Sequence, residues 1–235
     1  MKMFHYLDIE TSSFCNRTCP TCIRNSHPDR KRLAPWFKQA FMPMEMIKSI
    51  VEQYNELLKE VPTGRRRICL SYFNEPLLDN RIAEIAKFIK SFGLFYVYIV
   101  TNGDFLTEER AEELDGVLDH IEISLYEPTG RKKIRYLKSL FKKTNLNIKV
   151  CGHVLTHFSP NKNPPFSACS LDRLIINHKG QYLLCCDDVI GNFRLGSFPK
   201  TSLKDFWFGK KHLKIVNDIL SGNRNKYHYC KICPR

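Results

Sequence analysis

Short apolar runs and amphipathic stretches alternate through the first two-thirds of the chain with a regularity that few folds accommodate. Residues 6–10, 67–71, 95–100, 120–124 and 147–151 read as strands, rich in β-branched and aromatic side chains. Between the first two, residues 43–59 carry Met46, Ile47, Ile50, Val51, Tyr54, Leu57 and Leu58 at helical spacing, behind a proline suited to a first turn. Residues 80–92 form a second amphipathic helix stopped by Gly93, Thr107 caps a short acidic helix ending near Gly116, and residues 132–143 form a fourth. Strands joined through helices run parallel, with right-handed crossovers. A closed eightfold barrel takes about 250 residues. The expected fold is therefore α/β, a partial (β/α) TIM-like barrel of about five to six units.

From residue 156 to 168 the composition turns to Pro, Asn, Ser and Lys, which marks a linker between a barrel over 1–155 and a segment over 169–235. That segment pairs 171–177 with 181–185 through His178, Lys179 and Gly180, and adds a helix over about 202–220. The expectation is a small C-terminal β-hairpin-plus-helix domain, too short for a large core of its own and in need of a staple. No apolar run approaches the ~20 residues of a membrane span, and the first residues lack a signal-peptide core. A soluble, cytoplasmic protein with no membrane partner is expected. Ten cysteines in such a compartment point to metal or redox chemistry rather than disulfides.

Three of those cysteines, Cys15, Cys19 and Cys22, follow the first strand at Cys-x-x-x-Cys-x-x-Cys spacing. An iron–sulfur cube normally takes four cysteines, so three thiolates on one loop leave one iron open to another ligand. A structural zinc site closes its shell with four ligands; His27 is the nearest fourth candidate, in a polar loop.

The spacing resembles the cluster motif of the radical S-adenosylmethionine (SAM) enzymes. Thr21 stands where that family usually has an aromatic residue. The resemblance implies that SAM chelates the open iron of a [4Fe–4S] cluster and is reductively cleaved to a 5′-deoxyadenosyl radical, which abstracts hydrogen from a substrate. It also assigns residues at the carboxyl ends of the strands, where parallel barrels keep their functional loops. Phe73, Asn74 and Glu75 stand at the position of the family's Gly-Gly-Glu element, with Glu75 a carboxylate acceptor for the SAM ammonium. Thr101 and Asn102, in an Asn-Gly turn, take the ribose or carboxylate position, and Ser124 and the Gly152–His153 pair fall at further contacts by position.

Cys169, Cys185 in a Gly-x-x-x-x-Cys spacing, and a terminal Cys230-x-x-Cys233 resemble the shortened "twitch" form of the SPASM domain. That implies a second, auxiliary [4Fe–4S] cluster with four cysteine ligands; the spacing selects Cys185 over its neighbour Cys186. A four-cysteine zinc ribbon is the competing reading of this set. Cys69 and Cys151 lie in strands and read as buried apolar thiols.

The resemblance implies an oxidoreductase: a dehydrogenase-like, two-electron oxidation of a small polar metabolite, served by an electron donor such as flavodoxin or ferredoxin. The same apparatus would also suit a peptide, a nucleotide or a sugar. The net charge of +13 leaves open a non-catalytic metal-binding module for nucleic acid. Its basic residues are scattered, with short runs at 30–32, 65–67 and 131–133, and no aromatic-interleaved RNA signature accompanies them. An open cluster site also has no use in a structural module.

Overall fold

The computed structural model describes residues 3–19, 22–26, 38–61, 66–125, 131–150, 169, 171–189 and 191–232. Its strands are β1 (Tyr6–Ile9), β2 (Arg67–Cys69), β3 (Tyr96–Thr101), β4 (His120–Leu125), β5 (Asn145–Val150), β6 (Arg173–Ile176) and β7 (Tyr182–Leu183). Its helices are α1 (Ile23–Ser26), α2 (Met44–Glu60), α3 (Ile82–Lys90), α4 (Glu108–Leu114), α5 (Arg131–Ser139), α6 (Leu203–Trp207), α7 (Lys210–Leu220) and α8 (His228–Ile232). The strands form one sheet in the order β5-β4-β3-β2-β1-β6-β7, parallel throughout except for the β6–β7 hairpin. The α/β, partial-barrel expectation holds.

Helix α2 buries Ile47, Ile50, Val51, Tyr54, Leu57 and Leu58. They belong to the same core as the outward strand residues Leu7, Ile9, Ile68, Val97, Ile99, Ile121 and Ile123. Each such side chain removed from water contributes about 1.5–3 kcal/mol. Thr107 accepts from the Arg110 backbone N–H at 3.2 Å and starts α4, and Gly93 turns left-handed (φ 70°) after α3, as expected of a cap and a stop.

On the other face the strands do not run apolar throughout, as strands covered on both faces commonly do. In β3 and β4 every second residue is buried against the helices, which turns Tyr96, Tyr98, His120, Glu122 and Ser124 to the inner face. The sheet therefore has a dry outer side and a polar lumen.

The C-terminal hairpin does not stand apart. Strand β6 pairs in parallel with β1, Tyr6 opposite Arg173 and Ile9 opposite Ile176, so the hairpin extends the barrel sheet. A buried pair, His178 Nδ1 to Glu10 Oε2 at 2.7 Å, ties its turn to the end of β1. Trp207 packs edge-on against Phe4 at 5.0 Å, and Phe206 stacks on Tyr182 at 4.1 Å. The single helix expected over 202–220 is two, α6 and α7. Gly209 breaks it: its backbone is extended (ψ 141°), and a Cβ there would lie 2.4 Å from the Asp205 carbonyl oxygen. The expected linker, Cys151, Gly152, His153 and Cys233 lie outside the described residues. No helix among the described residues is long and apolar enough to cross a membrane.

Candidate active site

Strand β1 ends at Ile9 and delivers the cysteine loop. The Cys22 N–H donates to the Cys19 carbonyl at 3.0 Å, and Asn25 caps the same carbonyl through Nδ2 at 3.0 Å, so the loop closes into α1. All three thiols are half-buried. Burial raises Cys15 and Cys22, while the Arg17 and Arg24 backbone N–H groups, directed at the respective sulfurs, and the Arg24 charge oppose it. Neighbouring thiols also raise both, which means the three sulfurs lie within electrostatic reach of one another. Among the described residues no three His, Cys, Asp or Glu side chains converge tightly enough for a single metal ion. Three spread thiols with N–H donors aimed at sulfur fit a cubane cluster better than a zinc ion.

Three strand-end loops are then bolted together by a continuous polar network. The Glu75 N–H donates to the Phe14 carbonyl at 2.6 Å. The buried Glu75 carboxylate accepts from Leu77 N–H at 3.0 Å, Thr101 Oγ at 2.5 Å and Asn102 N–H at 2.8 Å. Asn102 donates through Nδ2 to Asn16 Oδ1 at 2.9 Å and accepts from the Asp104 N–H at 2.9 Å. Asp104 clamps the cysteine loop, accepting from Asn16 at 2.7 Å and from Arg17 through two nitrogens at 2.6 and 2.5 Å. Gly103 makes the turn possible: φ is 74°, and a Cβ would sit 2.9 Å from Ile123 Cγ2.

The expected SAM contacts separate on this geometry. Glu75, Thr101 and Asn102 meet directly, close to Cys15, whose thiol the Glu75 charge raises further. Three of the roughly four lone-pair positions of Glu75 are taken by the chain's own donors, which leaves one on Oε2. Asn74 accepts from the Tyr72 N–H at 2.8 Å, which holds its own turn. Phe73 offers its carbonyl to Arg24 at 2.9 Å and turns its ring into an apolar cluster with Ile175, Leu183 and Val189. Ser124 lies on β4 opposite Lys149, on the inner face.

Of the second cysteine set, Cys169 and Cys230 pack against the main core, and the buried Arg224 guanidinium holds the Cys230 carbonyl at 2.9 Å. Cys185 and Cys186 follow β7. Burial pushes the Cys185 thiol well up, helped by Cys186, Asp188 and Asp187, whereas Cys186 lines a cavity of about 770 Å³ on the sheet's inner face. Its wall is formed by Tyr6, Asp8, Arg67, Cys69, Ser71, Tyr72, Tyr96, Tyr98, Val100, His120, Glu122, Lys149, Arg173 and Cys186. Cys69 is buried, as expected, and donates to the Ser71 carbonyl at 3.3 Å.

Motif spacing did not single out Asn16, Arg17, Asp104, Asp8, Tyr72 or Arg173. Asp104 was within reach, immediately after the Asn-Gly turn. Asp8 alternates with Leu7 and Ile9, a pattern that turns it from the helix side.

The radical SAM superfamily model matches residues 9–148, more than half of the chain, and the protein belongs to that superfamily. An iron–sulfur cluster-binding domain model, SPASM, matches residues 169–234. It is thus a radical SAM enzyme with an auxiliary cluster-binding segment, and its cofactors are SAM and iron–sulfur clusters. Among characterised proteins it is similar to the S-adenosyl-L-methionine-dependent 2-deoxy-scyllo-inosamine dehydrogenase of Niallia circulans, 24% identical over 99% of this chain and 93% of that one. Among solved structures it shares the fold of BtrN in complex with AdoMet and 2-DOIA (TM-score 0.77, 23% identity, 100% and 94% of the two chains). It also shares that of native anSMEcpe with bound AdoMet (TM-score 0.67, 13% identity, 97% and 88%).

Proposed function

We propose that this enzyme dehydrogenates a small polyhydroxylated metabolite, oxidising a carbinol carbon by two electrons. The observation that carries the reading is the 770 Å³ cavity, lined by sheet residues of the barrel and by Arg173 and Cys186 of the C-terminal segment. Its tyrosines, carboxylates and cations suit hydroxyl groups, and its size suits a small ring more than a peptide. A relative matched over 93% of its length, whose name specifies a 2-deoxy-scyllo-inosamine dehydrogenase, supports the same class.

In this reading Cys15, Cys19 and Cys22 hold the open cluster, and Cys169, Cys185, Cys230 and Cys233 the auxiliary one. Bound there, the cluster and SAM would supply a radical able to take hydrogen from carbon, and the auxiliary cluster a one-electron acceptor. The chain's own part is to orient and to exclude water. The free Oε2 position of Glu75 receives the SAM ammonium, Thr101 and Asn102 fix that carboxylate, and Ser124 contributes a hydroxyl from the inner face of β4. Phe73 and Asn74 shape the turn that presents Glu75. Flavodoxin or ferredoxin in the cytoplasm is the expected reductant.

The test is anaerobic reconstitution with iron, sulfide, SAM and a reductant, with 2-deoxy-scyllo-inosamine as the first candidate. A ketone accumulating with 5′-deoxyadenosine supports the reading. 5′-Deoxyadenosine without a two-electron oxidation of any amino-cyclitol or sugar, but with modification of a peptide, overturns it.

A further inference from the structure

Among the described residues, the cavity wall contains two buried polar atoms without a partner. Asp8 is 2% exposed; its Oδ2 receives Arg173 Nη1 at 2.9 Å, but its Oδ1 meets no donor. The Tyr72 hydroxyl is likewise buried and unpaired. Both residues line the same cavity, on neighbouring strand ends. Burial pushes the Tyr72 phenol well up, and Cys186, Cys185 and Asp8 add to the effect, so Tyr72 is within electrostatic reach of both the carboxylate and the C-terminal cysteines. Buried polar atoms are almost always hydrogen-bonded. Two that are not, on residues that line one polar cavity, are explained by a ligand that supplies their partners. Two other polar groups of this wall are engaged by the protein: Glu122 pairs with Lys149 at 2.7 Å, and Ser71 Oγ accepts from the Val100 N–H at 2.8 Å.

We propose that Asp8 and Tyr72 are the hydroxyl-recognition pair of this cavity for a polyhydroxylated ligand that is neutral or bears an ammonium group, and that Asp8 takes the proton of the carbinol being oxidised. This rests on the dehydrogenase reading. The balance is complete: the carbon-bound hydrogen atom leaves to the 5′-deoxyadenosyl radical, the hydroxyl proton goes to Asp8 Oδ1, and the remaining electron goes to a one-electron acceptor of the iron–sulfur class. A C=O bond is left. Arg173 holds the other carboxylate oxygen and keeps Oδ1 oriented. Burial, opposed by Arg173, raises Asp8 to about 6, within the range of a working base near neutrality.

The experiment measures binding of 2-deoxy-scyllo-inosamine and of scyllo-inositol to reconstituted protein with SAM by calorimetry, and the ratio of ketone to 5′-deoxyadenosine in turnover. Tyr72→Phe breaks no internal hydrogen bond, so its melting temperature stays level or rises; binding weakens by about three- to tenfold. Asp8→Asn weakens binding by about tenfold or more and lowers the ketone ratio by about a hundredfold, and Asp8→Glu restores part of both. Binding of neither compound to the unmodified protein, or unchanged binding in both Tyr72→Phe and Asp8→Asn, overturns the recognition pair. Binding that depends on both residues without any ketone removes the dehydrogenase reading and the proton-acceptor role, and leaves recognition standing.

Discussion

The polar network that ties the strand-end loops together and the wall of the inner cavity differ in how their polar groups are completed. In the network, Glu75, Asn102, Asp104, Asn16 and Arg17 satisfy one another through the chain's own donors and acceptors. On the inner face, Asp8 Oδ1 and the Tyr72 hydroxyl have none. An unpaired buried polar atom costs about 1–3 kcal/mol, and Asp8 and Tyr72 line a cavity whose ligand can supply the missing partners. The network is therefore a frame that fixes the cysteine loop, and the lumen is a surface completed by its ligand.

The largest effect separating the two regions comes from the ligand set. Cys15→Ala, Cys19→Ala or Cys22→Ala should abolish 5′-deoxyadenosine formation, read by chromatography, and lower iron content in step. Cys230→Ala should instead leave SAM cleavage but uncouple it from ketone formation; an unchanged ketone ratio would remove the electron-transfer role of the C-terminal segment.

Within the frame, Asp104→Ala deletes the clamp on Asn16 and Arg17. The Arg17–Asp104 pair is about a quarter exposed (23% and 28%), so its loss should cost a modest 1–2 kcal/mol, about the worth of a screened, charge-assisted contact, in urea unfolding. SAM cleavage should fall by about ten- to a hundredfold, because the cysteine loop loses its register. Gly103→Ala, strained by its positive φ and by Ile123, should cost about 1–3 kcal/mol.

In the lumen the test is pH. Asp8 lies at about 6 when folded, above the ordinary 3.8. The native state therefore holds that proton more tightly than the unfolded chain, and this group's contribution to stability falls as pH rises from about 4 to about 6. Asp8→Asn should gain on the unmodified protein by about 2–3 kcal/mol between about pH 4 and about pH 7. Over the same interval ketone formation by the unmodified enzyme should rise through about 6, and that limb should vanish in Asp8→Asn. Arg173, Asp172, Tyr98, Cys69 and Tyr72 interact electrostatically with the same carboxylate and remain in the variant. The smallest effect is the level or slightly raised melting temperature of Tyr72→Phe.

The barrel's order was legible because β3 and α2 carry unambiguous periods, and Thr107 and Gly93 mark helix ends by their own chemistry. The resemblance to the radical SAM enzymes pointed to Glu75, Thr101 and Asn102, which the fold brings together. Other features depended on contacts distant in sequence. The pairing of β6 with β1 joins Arg173 to Asp8 across 165 positions, and the Arg17–Asp104 clamp spans 87. Local pattern does not encode such pairs. The break at Gly209 was legible in principle, since a lone glycine within a helical pattern marks a weak point. Phe73 looked like part of a cofactor loop by position, yet its ring completes an apolar cluster with β6 and β7.

The most direct measurement of the central claim is SAM cleavage by anaerobically reconstituted protein whose iron and sulfide content has been verified. The account predicts 5′-deoxyadenosine from the unmodified enzyme and none from Cys19→Ala that retains its C-terminal iron. An unmodified protein with full iron and sulfide that yields no 5′-deoxyadenosine under reduction would contradict it.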